Sequence, residues 1–193
     1  MIYTDSHIWD FDLADALAAV SQQRRLHALR YRHERDQRLC LAAYRLLQRA
    51  LLQEYGIMDL PHFSIDDKGK PSLERHPSLH FSLSHCEVAA ACVVSDHPVG
   101  IDIETTDHYS EDVAAAVMSE DEMSRILASP RPEVAFTRLW TMKESFYKLA
   151  GNPDGLDVPH LLDAAGDCSF TTIVYPRYIL TRCSRPAPPP PLS

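Results

Sequence analysis

Residues 79–104 carry three extended segments in close succession, "LHFSLS", "VAAACVV" and "VGIDIE", and this run limits the folds open to the chain more than any other feature. Leu79, Phe81 and Leu83 alternate with His80, Ser82 and Ser84, the period of a half-buried strand. "VAAACVV" is apolar on both of its faces and predicts a strand covered from two sides. "VGIDIE" follows after the turn "SDHP", and three neighbouring strands, antiparallel if joined as hairpins, are expected.

Helical patterns flank the run. A first helix is predicted over Asp12 to Arg30 and a longer one over Glu34 to Tyr55, where Leu39, Ala43, Leu46, Leu47, Ala50 and Leu51 form one apolar stripe that Gly56 ends. The intervening "PHFSIDDKGKPSLERHP" reads as a loop with at most a short strand, "HFSI". Beyond Glu104 a helix is expected around Asp112 to Met118, and Ser119 with Glu122 has capping-box spacing ahead of Met123, Ile126 and Leu127. A third helix is predicted from Glu133 to Ala150, stopped at Gly151. "CSFTTIVY" and "RYILTRC" predict two closing strands joined at Pro176, and "RPAPPPPLS" lacks residues that build a core.

An apolar share of 45% in 193 residues suffices for a packed core. The longest apolar run, Val88 to Val94, is too short to cross a bilayer, and "MIYTDSHIWDFD" is acidic where a signal peptide is basic and then apolar. A cytoplasmic protein with no membrane partner is expected. The odd number of cysteines, with no CxxC spacing, argues against a disulfide framework and a zinc knuckle. A net charge of -8 disfavours a general nucleic-acid binder. The arginines are nevertheless crowded, with Arg24, Arg25, Arg30, Arg32, Arg35, Arg38, Arg45 and Arg49 in one stretch, which reads either as a solvated helix face or as a surface for anions or a partner.

Two clusters carry chemistry. In "VGIDIE" the strand period puts Asp102 and Glu104 on one face and Ile101 and Ile103 on the other. Two anions held this close call for a proton, a cation or a metal ion between them, and hard oxygen ligands favour magnesium or calcium. In "RLWTMKESFYKLAG", Trp140, Glu144 and Lys148 follow at i, i+4 and i+8 along one side of a helix, with Lys143 flanking Glu144. An exposed Glu144–Lys148 ion pair is the plain reading of that spacing. Beside Asp102 and Glu104, Glu144 can also serve as a third oxygen ligand, with the two lysines suited to phosphates that such a metal would bridge.

These pieces, "GKP" at 69–71, "FSLSH" at 81–85, "VGIDIE" at 99–104 and "LWTMKESFYKLAG" at 139–151, resemble in order and spacing the 4'-phosphopantetheinyl transferases, and most of all their Sfp-like monomeric type. The resemblance runs from the first strand to "YILTRC". It implies an α+β fold of two similar α+β subdomains packed as a pseudo-dimer, here residues 1–98 and 99–184 with a Pro-rich tail at 185–193, and coenzyme A bound between them. It further implies magnesium, or manganese in its place, on Asp102, Glu104 and Glu144, with Lys143 and Lys148 near the pyrophosphate. His85 with Ser84 would contact the 3'-phosphate, Lys70 would lie near the adenine, and Arg38 would help hold the nucleotide. The sequence departs from the family's pattern at Ser82, where asparagine is usual, and at "GNPDGL", which lacks a lysine.

The activity implied is attack by a serine hydroxyl of an apo-acyl or peptidyl carrier protein on the phosphorus bearing the pantetheine arm, which expels adenosine 3',5'-bisphosphate. A carboxylate, with Glu144 the candidate, or a metal-bound water would remove the serine proton, while magnesium and the lysines, Lys148 among them, would spread the charge that builds on the phosphate oxygens. Two other readings remain open at this level: a magnesium-dependent pyrophosphate hydrolase acting on coenzyme A, and a silent module that binds coenzyme A or a carrier protein. Carrier proteins are generally acidic around the modified serine, so the arginine cluster would suit them.

Overall fold

The structure is a computed structural model describing residues 1–151, 155 and 157–186; most of the "GNPDGL" loop and the tail beyond Pro186 lie outside the described residues. Chain order begins with strand β1 (Ile2–Asp5), two short helices, α1 (Leu13–Ala18) and α2 (Gln22–Ala28), and the long helix α3 (Glu34–Tyr55). The single helix predicted over Asp12 to Arg30 is therefore two. The break is local chemistry: the Ala19 N–H closes α1 on the Asp15 carbonyl, and the Ser21 hydroxyl then accepts from Arg24 N to cap α2. Helix α3 has the predicted bounds and ends at Gly56, whose φ of 68° is the left-handed cap geometry that glycine adopts without strain.

The hairpin β2 (Phe63–Ile65) and β3 (Pro71–Leu73) follows, where a loop with one short strand was expected. Then come β4 (His80–His85), β5 (Ala90–Ser95) and β6 (Val99–Glu104). Strands β4 and β5 form the expected antiparallel hairpin, and β1 pairs with the other edge of β5. Strand β6 does not extend this sheet. After helices α4 (Glu111–Val117), α5 (Glu120–Leu127) and α6 (Pro132–Ala150), strands β7 (Ser169–Val174) and β8 (Ile179–Ser184) return, and β6 pairs antiparallel with β8 in a second sheet of order β6-β8-β7. The capping box is formed, with Ser119 Oγ accepting from Glu122 N and Glu122 Oε2 accepting from Ser119 N. A 3-10 segment over Val158–Ala165, absent from the sequence reading, connects α6 to β7.

Each of the two three-stranded sheets is backed by one long helix, α3 on the first and α6 on the second. This explains the doubly apolar β5. Its Ala90, Cys92 and Val94 belong to the cluster with Leu39, Leu47 and Leu51 of α3, while Ala91 and Val93 pack with Val99, Ile101 and Ile103 of β6. Strand β5 is thus the layer through which the two sheets share a core. The edge strands β4 and β6 lie side by side, and Ser82 Oγ accepts a hydrogen bond from Ile101 N at 3.0 Å. The Ser82 hydroxyl thus ties the edge of the first sheet to the edge of the second.

Candidate active site

The alternation in β6 sends its two faces to different neighbours. Val99, Ile101 and Ile103 are fully buried in the shared core. Gly100, Asp102 and Glu104 face the other way, toward α6, and Gly100 sets how near α6 comes. A Cβ on Gly100 would lie 1.9 Å from the Ser145 carbonyl oxygen and 2.8 Å from Leu149 N, so the α6 backbone rests directly on the strand. That contact delivers Glu144 and Lys148 to the carboxylate face of β6.

A cleft of about 630 Å³ opens there, lined by Ser84, His85, Asp102, Glu104, Glu144 and Lys148, with Arg24, His27 and Arg30 from the arginine-rich stretch. Asp102 is 2% exposed, and its Oδ1 accepts from Lys148 Nζ at 2.6 Å and from Ser84 Oγ at 2.8 Å. Lys148 Nζ also donates to Ser84 Oγ at 3.0 Å. The Glu144–Lys148 pairing of the plain helix reading gives way to this contact with Asp102 across the cleft. The other oxygen of Asp102, Oδ2, is buried without a hydrogen-bond partner.

The remaining carboxyls are crowded. Glu104 is pushed up to about 7, first by burial and then by the negative charge of Asp102, with Glu144 and Glu87 adding to it and Lys148 opposing. Glu144 is raised for the same reasons, burial ahead of Asp102. Burial and the neighbouring Lys148 ammonium hold His85 below the usual histidine range.

Among the described residues no three metal-ligating side chains stand close enough together to grip an ion as placed. The chemistry of the donor set nevertheless fits a hard divalent cation: three carboxylates on one cleft, a buried unpartnered oxygen on Asp102, and mutual repulsion that a cation would relieve. Lys148 supplies the positive charge beside Asp102 in the present arrangement.

Other candidates fall elsewhere. Lys70 lies at the rim, donating from Nζ to the Leu149 carbonyl at 2.9 Å, and lines a smaller adjoining pocket with Glu144, Tyr147 and Lys148. Arg38 is turned away from the cleft. Its guanidinium pairs with Glu34 at 2.8 Å, donates to the Phe11 carbonyl and sits over the Trp9 and Phe11 rings, so it braces the N-terminal segment. Lys143 is also absent from the cleft lining. It is fully buried on another side of α6, paired with Glu122 Oε2 at 2.8 Å and donating to the carbonyls of Val117, Val158 and Pro159. A pyrophosphate contact by Lys143 does not fit this placement, because every one of these partners would have to be abandoned.

In the sequence Arg24 is one arginine in a crowded stretch, and Gly100 stands in a strand with no local signal of a close backbone approach. Arg24 donates to Cys40 Sγ at the cleft and lies over the Tyr44 and Phe63 rings, 5.2 and 5.0 Å from their centroids.

Comparison with known proteins decides the kinship of this site. Residues 98–188, which hold β6, α6 and all three carboxylates, match the 4'-phosphopantetheinyl transferase superfamily. The chain is 33% identical to the 4'-phosphopantetheinyl transferase psf-1 of Bacillus pumilus over 86% of its own length and 79% of that protein's. It is 32% identical to the 4'-phosphopantetheinyl transferase Sfp of Bacillus subtilis, covering 82% of this chain and 71% of Sfp. The chain belongs to the 4'-phosphopantetheinyl transferase superfamily. A further Bacillus subtilis 4'-phosphopantetheinyl transferase is 34% identical over 74% of this chain, which spans 64% of that relative's length. Phosphopantetheinyl transferases act on carrier proteins with coenzyme A, and the cleft between β4, β6 and α6 is where this member gathers its charged side chains.

Proposed function

We propose that this chain transfers the 4'-phosphopantetheine arm of coenzyme A to a serine of an apo-acyl or peptidyl carrier protein, with release of adenosine 3',5'-bisphosphate. The observation that carries the reading is the convergence of Asp102, Glu104, Glu144 and Lys148 on one cleft of about 630 Å³, a size suited to a nucleotide cofactor. Residues 1–98 and 99–184 act as two halves on either side of it, as a monomer in the cytoplasm.

Asp102, Glu104 and Glu144 would hold magnesium, or manganese, which when bound supplies positive charge to the pyrophosphate oxygens. The chain's own groups do the rest. Lys148, already in the cleft, stabilises charge that builds on the phosphoryl oxygens as the bond to the leaving phosphate breaks. Glu144, set in the cleft beside Asp102 and Glu104, is the carboxylate placed to accept the proton of the attacking serine hydroxyl. His85 offers its ring to the 3'-phosphate and Lys70 closes the adenine side.

Intact-protein mass spectrometry of an apo-acyl carrier protein incubated with this protein, coenzyme A and magnesium tests the reading. A chelator-sensitive gain of one phosphopantetheine is expected. Unmodified carriers of several types with coenzyme A intact would overturn it in favour of a binding module, and coenzyme A cleaved without transfer in favour of a hydrolase. Asp102→Ala and Glu144→Gln should each abolish the mass gain.

A further inference from the structure

Ser84 Oγ, Asp102 Oδ1 and Lys148 Nζ form a closed triangle with sides of 2.8, 2.6 and 3.0 Å. Ser84 sits on an edge strand, is 9% exposed, and is joined to Lys148, the only lysine among the described residues lining the main cleft. A serine hydroxyl has one proton to give. Here that proton goes to Asp102, while a lone pair of the same oxygen accepts from the Lys148 ammonium. A phosphate oxygen is an acceptor only, so a side-chain contact from Ser84 to a phosphate would require taking this proton from Asp102. Asp102 already has one buried oxygen without a partner, and losing a second contact would leave the carboxylate held by Lys148 alone.

We infer that Ser84 is a positioning residue, whose hydroxyl fixes the Asp102 carboxylate and the Lys148 ammonium in register before the nucleotide binds, and that its side chain does not read the 3'-phosphate. The inference rests on the transferase reading of the cleft. It divides the serine-histidine pair at the end of β4 into two jobs. His85, adjacent on the strand and lining the same cleft, is left as the side chain for the 3'-phosphate, and Ser84 points across the sheet boundary to β6 and α6.

Coenzyme A and 3'-dephospho-coenzyme A, which differ only in that phosphate, separate the two roles. Binding is measured by calorimetry and transfer by carrier mass gain, for the unmodified enzyme, Ser84→Ala, Ser84→Thr and His85→Ala. For Ser84→Ala, kcat should fall about tenfold or more with both co-substrates alike, as expected for loss of hydrogen bonds to charged groups. The affinity ratio between the two co-substrates should stay at the unmodified enzyme's value, and Ser84→Thr, which keeps a hydroxyl, should recover most of the rate. In His85→Ala the ratio should collapse toward one. A Ser84→Ala variant that loses affinity for coenzyme A but not for the dephospho form would overturn the inference, as would one with unchanged kcat. Should the unmodified enzyme transfer nothing, the transferase reading falls, yet the calorimetric ratios still decide whether Ser84 reads the phosphate.

Discussion

Lys143 and Lys148 are five residues apart on α6 and look alike in the sequence, yet they meet opposite fates. Lys148 is part of the cleft, whereas Lys143 is buried against Glu122, whose Oε2 also accepts from Ser119 N in the capping box of α5. Lys143 therefore ties α6 to α5 and to the carbonyls of the 158–159 segment. Lys143→Met should destabilise the protein by about 3–5 kcal/mol in urea denaturation, since it leaves Glu122 as an unpaired buried charge. The coenzyme A affinity of the folded protein should change little; a large loss of affinity with full stability would return Lys143 to the phosphate site. Glu104→Gln acts in the opposite sense on stability. It removes one of three crowded carboxylates, so the melting temperature of the chelator-treated protein should rise even as transfer is lost, and a fall would show that Glu104 is not held against repulsion.

The elements matter through one contact, that of β6 with α6. Glycine at position 100 allows backbone to lie on backbone, and the carboxylates of the strand meet Glu144 and Lys148 of the helix only because of it. Gly100→Ala should cost more than the about 1–3 kcal/mol of ordinary overpacking, because the atoms met are main-chain and cannot rotate aside. Thermal melting and transfer should fail together; a variant with native melting and activity would show that α6 shifts freely. The strand period of "VGIDIE" made the face of Asp102 and Glu104 legible, as the helical period did for Glu144 and Lys148. Nothing local signalled that β6 would leave β5 and pair with β8, because hydrogen-bond partners across 75 or more residues are chosen by packing of both faces, not by turn length.

Across the whole molecule, charge is segregated. The net charge is -8, but Arg24 and Arg30 line the cleft and Arg32 and Arg35 are exposed next to it in sequence. Reversing both, as Arg32→Glu with Arg35→Glu, should raise the Michaelis constant for an acidic carrier several-fold with kcat little changed, and the effect should shrink with added salt. An unchanged constant would leave these arginines as a solvated face. Stability should also depend on pH. His85, His27 and His80 are all held below the ordinary value of 6.5, in each case chiefly by burial. The unfolded chain therefore binds protons first as pH falls, so the stability these groups contribute is present above about 6.5 and is lost on acidification below it. His85→Gln should flatten the fall in melting temperature between pH 7 and 5.5; an unaltered slope would remove His85 from the account.

By itself the sequence determined the bounds of α3 and α6, the alternation that puts two carboxylates on one face of β6, and the ordered motifs that carry the kinship, since each is a matter of local period, capping or spacing. Only the tertiary structure decided that Arg38 and Lys143 serve the scaffold, that Ser84 holds Asp102 to Lys148, and that two sheets share β5 as their common layer. A charged side chain's role depends on which distant groups can satisfy it once water is excluded. That partner set exists only when the chain has folded.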